Sequence, residues 1–109
     1  PAQSLMENQD IEGTARLLQK NWDLTPPQDM DWETLRQALV LQLGHMMAHD
    51  VERLVQSMYR LDVNEGKFDA AMALPTANER AVALAQVVLE REMQRLATWR
   101  KYSNPRNDA

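Results

Sequence analysis

The chain contains no cysteine, only three glycines and a single phenylalanine. The first absence removes disulfides, thiolate metal ligands and cysteine nucleophiles together, and it is expected of a cytoplasmic protein. The scarcity of glycine leaves few points at which a helix must break. No run approaches the ~20 apolar residues of a membrane span, and the first residues lack the basic and apolar regions of a secretory signal. Basic charge is also short. The net charge of −4 argues against general nucleic-acid binding, which needs a positive surface.

What is present points to helix. The 109 residues make one domain, and 44% apolar against 26% charged residues supplies a core without staples. Seven methionines accompany many Ala, Leu, Arg, Glu and Gln, all good helix formers. Charge is polarised: residues 1–33 hold seven acids against Arg16 and Lys20, a net −5, whereas residues 91–106 hold five bases against Glu92, a net +4.

Along the chain, Ile11, Ala15, Leu18 and Trp22 recur at helical spacing, predicting a short helix from about 10 to 22 within an acidic segment spanning 1–30. A disordered acidic arm is the competing expectation, since Gly13 weakens the helix and Thr25-Pro26-Pro27 ends it. Asp31 is an N-cap for a second helix, with Glu33 in its first turn. Trp32, Leu39, Leu43, Met47, Val51, Leu54, Met58 and Leu61 share one face, predicting a single helix of about thirty residues. Gly44 at its edge is expected to permit close helix approach. Asn64 caps a short connecting helix that Pro75 stops, and Thr76 with Glu79 opens a last helix running to about Tyr102. Ala81, Leu84, Ala85, Val88, Leu89, Leu96 and Trp99 form the apolar stripe of that helix, and 103–109 read as a flexible tail. The fold class is therefore all-α: a long antiparallel helical hairpin over 31–102, a short connecting helix and a short N-terminal helix, assembled as a small bundle.

His45 and His49, four apart and followed by Glu52, present metal-ligand types on one helical face. Met46 stands where an HExxH hydrolase carries its glutamate, and Gln42 and Gln56 flank the strip, so it reads as a solvated surface. No metal site, catalytic residue or cofactor is expected. More informative are charges inside the apolar stripes. A hairpin turning near Leu61 and Arg80 would set Asp50 opposite Arg91 and Arg95, predicting an interhelical ion pair with Glu92 bracing Arg95 at i, i+3. The segment "TWRKY" at 98–102 reads as helix termination, with Trp99 in the core. The alternative is an electrostatic docking site, one candidate occupant being the acidic N-terminal third.

"LVQSMYRLDVNEGKF" and the following "AQVVLEREMQRLATWRKY" resemble a group of short uncharacterised bacterial all-helical proteins. These share a YRLDV segment and then a helix with an ER-x-x-QR pattern. The resemblance spans roughly residues 46–102. It departs at Ser57 and Met58, where Leu-Leu is expected, and at Glu92, where Gln is expected. It implies no activity, but it singles out Tyr59, Arg60, Asp62, Glu90 and Arg95 at the hairpin end and along its seam. With Asp50, Arg91 and Glu92 these make a polar cluster, serving either as a structural lock or as a recognition patch.

The expected function is a non-enzymatic helical protein-interaction module that self-associates or joins a protein partner. The alternative is a small-ligand or metal-binding regulatory protein using the Arg/carboxylate seam or the His45/His49 strip.

Overall fold

The computed structural model describes the backbone of residues 2–102 and the side chains of residues 10–102; the tail expected at 103–109 lies outside them. The chain is an all-helical bundle, with no strand among the described residues. Its helices are α1 (Ala2–Trp22), α2 (Trp32–His49), α3 (Val51–Arg60), α4 (Glu65–Met72) and α5 (Ala77–Tyr102). No described helix is long and apolar enough to cross a membrane.

The helix starts follow from local chemistry. Asp31 caps α2 by accepting from the Thr34 N–H at 2.8 Å, and the Thr34 hydroxyl oxygen accepts from the Asp31 N–H at 3.0 Å in return. Asn64 Oδ1 takes the Lys67 N–H at 2.9 Å to open α4, and Thr76 Oγ1 takes the Glu79 N–H at 3.1 Å to open α5. Arg80 closes the α4–α5 corner, donating to the carbonyls of Leu74 at 2.7 Å and Pro75 at 3.1 Å.

α5 is the central helix, packed against α1, α2 and α4. α2 runs antiparallel to it: Gly44 lies by Ala81, and Trp32 shares a groove with Met93. α1 is also antiparallel to α5, with Asn21 at Glu92, Gly13 at Leu96 and Asp10 ion-paired to Arg100. Ile11, Ala15, Leu18 and Trp22 are all buried, as their spacing predicts, in the same core as Leu35, Leu39, Leu43, Leu54, Leu84 and Val88. The core therefore draws on both sides of the 30/31 boundary. α1 begins at Ala2, not near residue 10, and its partner is the basic end of α5, so opposite charges meet where the chain's two charged segments pack together.

Several expectations are corrected. The thirty-residue helix is split at Asp50, which ends α2 and starts α3. With Gly44 beside Ala81, α2 already reaches the start of α5. A straight continuation to Leu61 would overhang by about 18 Å and leave Leu54, Met58 and Leu61 in water. Turning at Asp50 folds them back, and all three are buried. The same turn leaves Val51, expected in the core, 48% exposed. Trp99 is 64% exposed because α2 covers α5 no further than Met93.

Gly44 is not a close-approach site. A Cβ there would lie 3.9 Å from the Ala81 Cβ, an ordinary contact. Gly44→Ala is therefore expected to stabilise the bundle by about 0.5–1 kcal/mol through helix propensity. Urea unfolding followed by circular dichroism reads this as a raised midpoint at constant slope.

Candidate functional site

The polar cluster forms around the C-terminal end of α1. Asp23 there adopts a left-handed conformation, φ 55°, which Asp tolerates better than most residues. The last carbonyls of α1 lack intrahelical donors and must find others. Gln42 Nε2 donates to the Trp22 carbonyl at 2.9 Å, and Arg60 Nη2 donates to the Asn21 carbonyl at 3.4 Å. Arg53 pairs with Asp23, placing a second cation where the helix dipole favours one. Asn21 itself donates from Nδ2 to Glu92 Oε2 at 2.7 Å. Glu92 has no exposed side-chain surface, and its other oxygen accepts from Arg95 Nη1 at 3.0 Å, the i, i+3 brace expected from sequence. A buried acid is tolerated only when both oxygens are satisfied, and here they are.

The expected Asp50 pair with Arg91 or Arg95 does not form. Asp50 is exposed, and its Oδ1 accepts from the Arg53 N–H at 3.4 Å as the cap of α3. Arg91 instead donates from Nε to the Leu61 carbonyl at 2.9 Å. That contact ties α5 to the corner formed by residues 59–63. Leu61 is a core anchor, and Asp62 takes the left-handed position after the helix at φ 54°. The Asp62 N–H then reaches the Tyr59 carbonyl at 3.1 Å, and the Val63 N–H reaches that of Met58 at 3.0 Å. These two bonds are a Schellman ending, with Val63 and Met58 as its apolar pair. Tyr59 remains 72% exposed.

Glu90 stands apart, on the α4 side of α5. It accepts from Gln86 Nε2 at 2.9 Å and lies 3.5 Å from Lys67 Nζ. The amide bond holds its carboxyl below the usual range; partial burial opposes this and Lys67 adds to it. Of the eight residues singled out, Arg60, Glu92 and Arg95 thus hold the α1 junction, Arg91 and Asp62 shape the corner after α3, Tyr59 is exposed, and Asp50 and Glu90 act elsewhere. Asn21, Gln42, Asp23 and Arg53 complete the junction. No sequence spacing marks them, because each partner is 20 or more residues away.

His45 and His49 are exposed, their ring centroids 4.7 Å apart. No group of three or more metal-ligating side chains occurs among the described residues. Recesses border the bundle between its helices. A small one of about 60 Å³ between α3 and α4 is too tight for an organic ligand. A shallow apolar groove between α2 and α5 is lined by Trp32, Glu33, Arg36, Leu89 and Met93. A basic groove of about 500 Å³ lies between α1 and α5. The chain matches no protein-family model, no curated protein and no solved structure.

Proposed function

We propose that this chain is a small, non-enzymatic, cytoplasmic interaction module that pairs with a second copy of itself through the outer face of α2 and α5. The observation that carries this reading is the uncovered groove of Trp32, Leu89 and Met93, with Met93 42% exposed. α1 and α4 cover other sides of α5 but leave this one open. Two antiparallel helices with an apolar outer groove are half of a four-helix bundle, and a two-fold axis lets the same groove cover itself. The rim charges do not oppose that closure, because Glu33 and Arg36 are already paired within one copy. The non-enzymatic reading is supported by the α1 junction: Arg53 and Arg60 are engaged with Asp23 and the Asn21 carbonyl, and buried Glu92 with Asn21 and Arg95, so its carboxyl is committed to holding α1 in place.

Sedimentation velocity between about 1 and 500 µM is expected to show a reversible dimer. Met93→Glu is expected to weaken it at least about tenfold while leaving helicity intact, since it buries an unpaired charge only in the dimer. A wild-type chain that stays monomeric across that range rules the reading out. The second reading, a small-ligand-binding protein, is favoured by the basic groove.

A further inference from the structure

The basic groove lies away from the proposed pairing face, between α1 and the last turns of α5. Lys20 on α1 and Arg91 and Arg95 on α5 line it, together with Leu17, Trp99 and Tyr102. Its charge is not neutralised from within. Among the described residues neither Lys20 nor Arg91 forms an ion pair with a carboxylate, and Arg95 pairs only with buried Glu92, which Asn21 shares. The two guanidiniums are nonetheless held in place. Arg91 uses Nε on the Leu61 carbonyl and Arg95 uses Nη1 on Glu92, one donor each of the five a guanidinium carries. The cations are thus preorganised for a ligand without being consumed by the fold.

The aromatic wall is equally unspent. Trp99 and Tyr102, one helical turn apart, are 64% and 79% exposed. Leu17 lies across the groove on α1. The volume of about 500 Å³ falls in the range of small-molecule sites. A polyanion is a poor occupant, because a net charge of −4 repels the phosphates that run past the groove. A small anion meets only the local field.

We propose that the α1–α5 groove binds a small planar organic anion. Its ring lies against Trp99 and Tyr102, and its carboxylate or phosphate is held by Lys20, Arg91 and Arg95. Arginine forks fit either headgroup, so the two are separated by experiment.

The test is a ¹H–¹⁵N NMR titration of the full chain with phenyl phosphate, benzoate, inorganic phosphate and benzyl alcohol. Phenyl phosphate or benzoate is expected to bind saturably, at roughly millimolar or tighter for ligands of this size. The shifts should centre on Lys20, Arg95, the Trp99 indole N–H and Tyr102. The tighter of the two names the headgroup. Inorganic phosphate, lacking the ring, and benzyl alcohol, lacking the charge, are each expected to be about tenfold weaker. Lys20→Gln and Trp99→Ala change exposed side chains, so each should keep the fold and weaken binding severalfold. Absence of saturable shifts from either aromatic anion up to about 10 mM overturns the proposal. So does binding that both variants leave unchanged, or shifts centred elsewhere on the bundle.

Discussion

Replacing Arg95 with leucine is expected to destabilise the bundle by about 2 kcal/mol, whereas Glu92→Leu and Arg95→Leu together should cost about 1 kcal/mol or less. The single change leaves a fully buried carboxyl with one neutral donor, Asn21 Nδ2 at 2.7 Å. Breaking a wholly buried pair costs about 3–5 kcal/mol. Arg95 is 37% exposed, so water reaches the vacated position and the penalty is smaller. The double change removes the charge that needed solvation and puts a leucine into a site walled by the apolar stripe of α5. Asn21 is only partly buried and can turn its amide to water. Urea unfolding of wild type, both single variants and the double variant measures the coupling directly. If the double variant lost the sum of the two singles, Glu92 and Arg95 would be independent, and the junction would not be a network.

Gly13→Leu is expected to cost about 2–3 kcal/mol and to loosen α1 selectively. A Cβ at this position would stand 2.8 Å from Leu96 Cδ2 and 3.1 Å from Arg100 Nη2. Alanine sets two effects against each other: helix propensity gains about 1 kcal/mol, and the Leu96 side chain must give way. Gly13→Ala is accordingly expected to be close to neutral. Leucine has no such escape, because α5 occupies the space its branches need. Hydrogen exchange separates this outcome from general destabilisation. Amides of α1 from residue 11 onward should exchange faster by a larger factor than those in the middle of α2 and α5. Uniform acceleration across all three helices would mean that α1 and α5 do not close on each other at Gly13. The contrast with Gly44 is instructive: one glycine sits at a true helix crossing, the other in ordinary space, though both look like interruptions in a helical pattern.

Much of the molecule is legible before folding, and the legible parts share one property: their cause lies within about one helical turn. Asp31, Asn64 and Thr76 cap helices because each side chain satisfies an N–H three residues ahead. Ile11, Ala15, Leu18 and Trp22 declare a buried face by spacing alone, and Glu92 finds Arg95 one turn on. The polar cluster was legible only as a set of charges on apolar faces. Its purpose, holding the end of α1, was not, because Asn21 and Glu92 are 71 residues apart and nothing local to Glu92 points to Asn21.

All-helical class, the caps at Asp31, Asn64 and Thr76, and the buried stripes apart from Val51 and Trp99 were therefore determined by the sequence itself. Tertiary packing decided the rest. It broke the second long helix at Asp50, because α5 starts too soon to cover a straight continuation. It turned Arg91 from an expected acid partner to the Leu61 carbonyl, and left Trp99 in water beyond the reach of α2. Helical periodicity says which face is buried. It does not say how far along a neighbour that face slides, since one helical turn of shift keeps the same stripe inward. That choice is made by the summed fit of many side chains, and every cross-helix contact in the bundle follows from it.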